Sequence, residues 1–313
     1  MERLSDEQLI ELFKEDCHIR DCSNGTIDSY ISILNLFSNF LKKKGYSLLT
    51  VDREILKDYI SDLRKDGIDQ KTIKNRFSAL SSLYDYAVYE GFLEKNVVLD
   101  IRKRYLKQYK ENNNNDSRRK LITIAQMAHF IEIILDTRDK AIAVLFAKTG
   151  IRRRELVAID VDDINWDNLS IVLKPTHKRS NRIVFFDHEC AFVLRQWLQK
   201  REHYVDPENK ALFVSYTDRK KRLDDNGVWS CFVKWATLAG LHNQKSDKIE
   251  DHFTCHCARH WHNTYLRKAG MPREFRKWLR GDALTDTMDI YDHIDPDEVR
   301  YSYLACIPKL GIQ

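Results

Sequence analysis

The sequence predicts a mainly α-helical protein with one small β-sheet, made of an N-terminal helical domain and a C-terminal α+β domain. Its 313 residues exceed the usual size of one domain, about 100 to 200 residues. It contains only 5 Pro and 10 Gly, so few residues interrupt helices. Apolar residues recur at three- and four-residue steps along much of the chain, which is the period of an amphipathic helix. With 43% hydrophobic and 32% charged residues, the chain has the composition of a folded protein.

The first hundred residues predict helices only. The helical period of apolar side chains runs through 26–41, 55–63 and 73–87. We therefore assign residues 1–101 to the N-terminal domain.

A polar segment, 102–120, separates the two domains. It holds eight basic residues, two acidic residues and four consecutive asparagines, so it cannot bury an apolar face and is predicted to be a solvated linker. Its charge would suit phosphate contacts, or it would simply keep the linker soluble.

The second domain, 121–313, predicts further helices around one β-hairpin. The expected helices are 124–135, 140–148, 190–200, 228–239, 259–269 and 273–279. The expected strands are 170–173 and 182–186, joined by a basic connection.

Charge, apolar runs and cysteines limit the function classes. The net charge of +5 and the isoelectric point near 8.7 favour an anionic partner only weakly. We find no apolar run of about 18 residues and no apolar leader behind the acidic start, so a cytoplasmic protein without a membrane partner is expected. The seven cysteines are an odd number without a disulfide framework, which suits a reducing compartment.

The first candidate site is Thr149-Gly150-Ile151-Arg152-Arg153-Arg154-Glu155-Leu156. Arg152 and Glu155 are three apart and share a face if the segment opens a helix, so one carboxylate could hold one guanidinium. On composition alone, three arginines beside a glutamate more often form a solvated, salt-bridged surface.

The second candidate site is His256-Cys257-Ala258-Arg259-His260. His256 and Arg259 are also three apart and can face the same way. The planar guanidinium of arginine donates two parallel hydrogen bonds to a phosphodiester, and histidine can take or orient a proton near neutrality. A third element, Met288-Asp289-Ile290-Tyr291-Asp292-His293-Ile294, places a tyrosine near the end of the chain.

In chain order, these motifs resemble those of the tyrosine recombinase family, which includes phage and archaeal integrases and the Xer resolvases. The shared pattern is a Thr-Gly-x-Arg-x-x-Glu-Leu box, a hairpin lysine, His-x-x-Arg-His, a Leu-x-Gly-His-like step and a late tyrosine. The N-terminal helices also resemble the core-binding, SAM-like DNA-binding domain of that family. The resemblance implies a C-shaped clamp around double-stranded DNA that carries specific recombination sites. It also implies a site-specific recombinase that acts in integration or excision of a mobile element or virus, or in resolution.

The resemblance also implies roles for individual residues. Arg152 and Arg259 would hold the scissile phosphate, His256 would act on the tyrosine proton, and Tyr291 would be the nucleophile that forms a 3′-phosphotyrosine. Glu155 would support this site. No cofactor is needed, because the covalent intermediate conserves the energy of the broken bond.

Two positions depart from a simple correspondence. The hairpin connection offers Lys174 and Lys178 as the general acid, and we choose Lys178 because it is nearer the turn, although its basic residues could also only line a DNA groove. Asp282 in Leu279-Arg280-Gly281-Asp282 replaces a histidine or tryptophan of the common pattern. An ionised aspartate cannot donate a hydrogen bond to phosphate, so Asp282 either orients a neighbour such as Arg280 or leaves the role to another residue.

A zinc site is an alternative use of a histidine and cysteine cluster. The cluster comprises His252, Cys255, His256, Cys257, His260 and His262. It lacks the paired ligand spacing of a structural zinc site, so we expect no bound metal.

The resemblance further implies a homo-tetramer on paired sites and leaves open an accessory DNA-bending protein. The segment that follows Tyr291 resembles a tail that packs onto a neighbouring protomer, and the alternative is a helix folded on its own domain. Two other functions remain open at this stage: a type IB topoisomerase-like enzyme, and an inactive DNA-binding protein with the same fold.

Overall fold

The computed structural model describes residues 4–107, 120–175, 181–203, 205–218, 221–246, 248–282 and 294–313. The chain divides into two compact units, Met1–Asn114 and Asn115–Gln313. Among the described residues, no helix combines the length and apolar character needed to cross a membrane.

Residues 4–107 form five α-helices. They are α1 (Asp6–Ile19), α2 (Asn24–Lys44), α3 (Arg53–Lys65), α4 (Gln70–Tyr89) and α5 (Val97–Tyr105). Each begins after a Ser, Asp or Asn whose side chain accepts a hydrogen bond from a main-chain N–H of the first turn, which satisfies an otherwise unpaired donor. Helix α5 extends into the expected linker, whose residues 108–119 lie outside the described part of the chain.

The core of the first unit is aromatic and contains a buried carboxylate. The rings of Phe37 and Tyr59 lie 4.8 Å apart between centroids, and Phe77 joins them from α4. The buried carboxylate of Asp6 accepts hydrogen bonds from Ser38 Oγ at 2.7 Å and from the N–H of Leu48 at 2.8 Å. These contacts tie the start of α1 to α2 and to the turn that follows α2.

The second unit surrounds a central helix with helices and a small sheet. Its helices are α6 (Ile124–Glu132), α7 (Thr137–Thr149), α8 (Arg153–Ala158), α9 (His188–Glu202), α10 (Asp225–Leu238), α11 (Cys255–Lys268), α12 (Arg273–Arg280) and α13 (Pro296–Cys306). The strands are β1 (Ile164–Asn165), β2 (Ser170–Val172) and β3 (Ile183–Phe185), paired antiparallel in the order β1-β2-β3. The predicted mainly α fold with one small sheet is confirmed, and the sheet has one strand more than expected.

Helix α7 forms the centre of the second unit. It packs against α6, α9, α10, α11 and β3, and its side chains are buried on all sides over most of its length. Its last residues lead directly into the Thr-Gly-Ile-Arg box, so the box begins from a fixed position in the core.

The C-terminal segment folds onto its own unit. Val299, Tyr303 and Ile307 of this segment are buried in a small core with Phe185 and Leu279. Beyond α13, a carboxylate oxygen of Glu189 accepts main-chain N–H groups of residues 310–312 at 2.7 to 3.2 Å. This arrangement corresponds to the alternative in which the segment is a helix folded on its own domain.

Candidate active site

Arg152 is fixed by a buried carboxylate at the start of α8. Its Nη1 donates to Glu155 Oε1 at 2.9 Å, and its main-chain N–H donates to Glu155 Oε2 at 2.6 Å. The Glu155 side chain is 3% exposed, whereas that of Arg152 is 35% exposed. A buried carboxylate therefore holds a guanidinium that can still reach a bound anion.

The neighbouring arginines of the box have different partners. Arg153 Nε and Arg154 Nε lie 3.3 and 3.1 Å from the carboxylate of Asp225 on α10. The surface salt-bridge interpretation fits these two arginines, and Arg154 is 78% exposed. Arg152 differs from them because its partner is buried.

Arg259 is brought to the box by main-chain acceptors. From α11, its Nη1 donates to the carbonyl of Gly150 at 2.5 Å and its Nη2 donates to the carbonyl of Arg280 at 3.0 Å. Gly150 stands two residues before Arg152, so the segments that carry the two predicted phosphate-binding arginines meet at this carbonyl. Gly150 ends α7 with a φ of 61°, a backbone conformation that favours glycine.

His262, one turn beyond Arg259 on α11, packs against Gly150. A Cβ at position 150 would lie 2.5 Å from His262 Nδ1, so only glycine fits. Burial, and then the positive charge of Arg259, lower the pKa of His262 to about 3. A neutral imidazole therefore fills the space below the Gly150 carbonyl, and sequence reasoning assigned it no role except in the zinc alternative.

Helix α12 connects the hairpin to Arg259. Asn181 Nδ2 donates to the carbonyls of Ile183 and Trp278 at 2.6 and 3.2 Å, which ties the beginning of β3 to the last turn of α12. The rings of Trp278 and Phe185 stack with centroids 6.1 Å apart. The base of the hairpin is thus held beside the same helix end that supplies the Arg280 carbonyl.

His256 lies in the first turn of α11, one turn before Arg259, and is exposed. Its ring centroid lies 4.7 Å from that of His260. The predicted helix started at residue 259, but it begins at Cys255, and so His256 and Arg259 belong to one rigid element.

Lys174, which follows β2, forms two ion pairs with carboxylates that precede β1. Its Nζ lies 2.8 Å from Asp163 and 3.0 Å from Asp160, and these hydrogen bonds raise its pKa. A lysine with a raised pKa is a weaker acid than an ordinary one. Lys178 and Tyr291 lie outside the described residues.

Asp282 follows α12 and pairs with Arg280. Asp282 Oδ2 lies 3.1 Å from Arg280 Nε. Gly281 between them has a φ of 60°, and the N–H of Asp282 donates to the carbonyl of Lys277 at 3.3 Å. The chain therefore turns back at Gly281, and the Asp282 carboxylate lies beside Arg280, the neighbour that one of the two sequence hypotheses named.

The histidine and cysteine cluster has other contacts in the structure. His252 Nε2 lies 2.7 Å from the carbonyl of Ser246, and Cys257 Sγ donates to the carbonyl of His252 at 3.2 Å. Burial raises the pKa of Cys255 to about 12, which disfavours the thiolate that a metal would need. Within the described ranges, no three His, Cys, Asp or Glu side chains are arranged to hold a metal ion.

Family models match both units. The model described as the phage integrase family matches residues 120–298, and that of the N-terminal SAM-like domain of phage integrases matches residues 10–91. The tyrosine recombinase XerC of Psychromonas ingrahamii is 27% identical over 292 residues, which cover 93% of this chain and 92% of that protein. XerC of Haemophilus influenzae is 24% identical over 293 residues, which cover 93% of this chain and 93% of that protein.

Solved structures show the same fold. XerH site-specific recombinase bound to its difH substrate, in a pre-cleavage complex, has a TM-score of 0.64 and 20% identity, with 95% of this chain and 84% of that chain covered. A lambda integrase dimer bound to a COC′ core site has a TM-score of 0.65 and 17% identity, with 93% and 98% covered.

Proposed function

The chain belongs to the phage integrase family and is a site-specific tyrosine recombinase, and we propose that it cuts and rejoins DNA through a covalent bond between Tyr291 and a 3′ phosphate. The observation that carries this proposal is the junction at Gly150, where the Arg259 guanidinium contacts the segment that positions Arg152. None of the comparisons above supports a topoisomerase-like enzyme or an inactive DNA-binding protein.

The two arginines would neutralise the phosphate in the transition state. Attack on a phosphodiester develops charge on its non-bridging oxygens, and fixed guanidinium groups stabilise that charge without reorganising. Glu155 and the Gly150 carbonyl fix the two side chains before DNA binds. Across enzymes, preorganised charge of this kind is usually the largest single contribution to the rate acceleration.

Proton transfers would complete the reaction. The phenolic oxygen of Tyr291 attacks the phosphorus while His256 takes its proton, and the bond from phosphorus to the 5′ oxygen breaks. Lys178 gives a proton to the departing 5′ oxygen, and the ion pairs of Lys174 support this choice between the two lysines. A 5′-hydroxyl then attacks the phosphotyrosine, so strands are rejoined and Tyr291 is released.

Double-stranded DNA with specific recombination sites is the proposed substrate. In the solved complexes, XerH is bound to its difH substrate and lambda integrase to a COC′ core site. We propose a homo-tetramer on two paired sites, acting in integration or excision of a mobile element or in resolution, with an accessory DNA-bending protein as a further candidate partner. The protein would act in the cytoplasm, where its DNA is.

Covalent trapping tests the function. The probe is a pool of nicked duplexes with randomised sequence on both sides of the nick, so that the short fragment beyond a cleaved bond diffuses away and the adduct accumulates. Adducts are isolated by denaturing electrophoresis and their DNA is sequenced, which also defines the site. Wild-type protein is expected to form an adduct that mass spectrometry maps to Tyr291.

The tyrosine variants decide which residue attacks. Tyr291→Phe should bind the enriched duplex normally and form no adduct, because only the attacking oxygen is lost. The matched control is Tyr301→Phe, since Tyr301 is 67% exposed on α13 and should leave the adduct unchanged. An adduct in Tyr291→Phe, or none with wild-type protein on any duplex of the pool, would overturn the proposal.

A further inference from the structure

Position 282 lacks the hydrogen-bond donor of the common family pattern, and the structure shows a donor two residues earlier. An ionised carboxylate accepts hydrogen bonds only, so Asp282 in that form cannot contact a phosphate oxygen. Its Oδ2 instead lies 3.1 Å from Nε of Arg280, a side chain that donates, stays charged and is 42% exposed.

The backbone of Arg280 already belongs to the site. Its carbonyl accepts the hydrogen bond from Arg259 Nη2 at 3.0 Å, which places the end of α12 against the guanidinium proposed to hold the scissile phosphate. The left-handed Gly281 and the hydrogen bond from the N–H of Asp282 to Lys277 fix the course of the chain from Arg280 to Asp282. The main chain that carries the ion pair is therefore fixed relative to Arg259.

The charges around α12 favour an anion there. Burial, and then the positive charges of Arg267, Arg273 and Arg280, lower the pKa of Arg276. Mutual repulsion of several guanidinium groups is relieved when a phosphate binds among them. A half-exposed ion pair contributes little to stability, so a change at Arg280 or Asp282 should leave the fold intact.

We propose that Arg280 is a third phosphate-binding arginine of the active site and that Asp282 is the residue that positions it. Arg280 thereby supplies the donor that residue 282 supplies in the common pattern. A guanidinium has enough N–H donors to pair with a carboxylate on one edge and with a phosphate on another. A histidine or tryptophan at position 282 would donate to the phosphate directly and would need no such partner. The inference rests on the proposed function, because it requires a scissile phosphate at Arg259.

The test measures the rate of adduct formation at saturating protein on the enriched nicked duplex, with affinity measured separately by gel shift. Arg280→Ala should lower the rate by about 100-fold or more, as for other donors to a transition-state charge. The control Arg154→Ala removes one charge from an exposed arginine that pairs with Asp225 at the surface, and it should keep the wild-type rate at saturation. An Arg280→Ala rate equal to wild type would overturn the inference and leave the proposed function standing.

Two further measurements separate phosphate binding from a structural role. Replacing one non-bridging oxygen of the scissile phosphate by a methyl group removes the charge that Arg280 would neutralise, so the defect of Arg280→Ala should shrink on that substrate. Asp282→His restores the donor of the common pattern, so the defect of Arg280→Ala should also be smaller when measured in an Asp282→His protein. A defect of equal size on both substrates, or of equal size in both proteins, would refute the exchange of roles.

Discussion

Replacing His262 by phenylalanine should remove part of the acid sensitivity of the second unit. The imidazole is buried against Gly150, and the groups that face it are Arg259 on its own helix, Lys148 on α7 and the ring of Tyr303 on α13. Its pKa is about 3 in the folded protein, against the ordinary histidine value of 6.5 that applies when the chain is unfolded. Between about pH 3 and pH 6.5 the unfolded chain therefore binds more protons at this residue than the folded protein does. The stability that neutral His262 provides is complete above pH 6.5 and is lost as the pH falls below that value.

The expected size follows from the two pKa values. At about pH 5 the loss is about 1.5 units, which at about 1.4 kcal/mol per unit is about 2 kcal/mol of the free energy of unfolding. His262→Phe should lose that much less between about pH 7.5 and pH 5 than the wild-type protein, whatever its stability at the higher pH. Other titrating groups are shared by both proteins and cancel in the comparison.

Tryptophan fluorescence during urea unfolding provides the assay. All 6 tryptophans, from Trp166 to Trp278, lie in the second unit, so the signal reports that unit alone in the full-length chain. His203→Gln is the matched control, because it removes an exposed histidine at the end of α9 and should keep the wild-type pH dependence. Equal losses of stability in His262→Phe and wild type would refute the burial argument.

Three further predictions concern the site and its support. Lys178→Ala should cleave slowly on ordinary DNA and at nearly the wild-type rate when the bridging 5′ oxygen is replaced by sulfur, because a thiolate leaves without an acid; rescue of Lys174→Ala alone would exchange the two lysines. Arg152→Ala should slow adduct formation by about 100-fold and sulfur should not restore it, whereas Arg154→Ala should stay near wild type; similar rates in both would return Arg152 to a surface role. Lys148→Ala should cost about 3 kcal/mol of unfolding free energy, because it leaves the buried Asp187 carboxylate with only the more distant Lys309 at 3.6 Å; a cost no larger than that of Lys140→Ala on the same helix would contradict this.

The sequence predicts α2, α3 and α4 from their apolar periodicity but misses α1, although the buried Leu9, Ile10 and Phe13 of α1 follow the same period. Helix α7 is buried on nearly all sides, so its start at Thr137 is set by the capping side chain of Asp136 and not by any stripe of apolar residues. Strand β1 has two residues, too few to show alternation, and it forms because Ile164 and Asn165 pair with β2 across the turn. Tertiary pairing, which no local pattern encodes, therefore accounts for the extra strand.

For the candidate site, the sequence predicts side chains that interact within one helix turn. The spacing of Arg152 and Glu155 predicts their ion pair, and the spacing of His256 and Arg259 predicts that the two can face the same way, although the expected helix began only at residue 259. It does not predict the carbonyls of Gly150 and Arg280, because every residue has a carbonyl and only the fold selects which ones accept. The bridge from Asn181 to Trp278 was missed for the same reason, since its partners are 97 residues apart.

Asp282 shows how a motif and the chemistry behind it can separate. A motif records which side chain stands at which position, whereas phosphate binding requires a donor at one place in space. At the end of α12, the turn at Gly281 brings the side chains of residues 280 and 282 into contact. We infer that a donor at either position can therefore serve the same phosphate. If the exchange is correct, chains of this family with aspartate at this position should need arginine two residues earlier for cleavage. An active recombinase with aspartate here and an apolar residue in place of Arg280 would show that the donor comes from elsewhere.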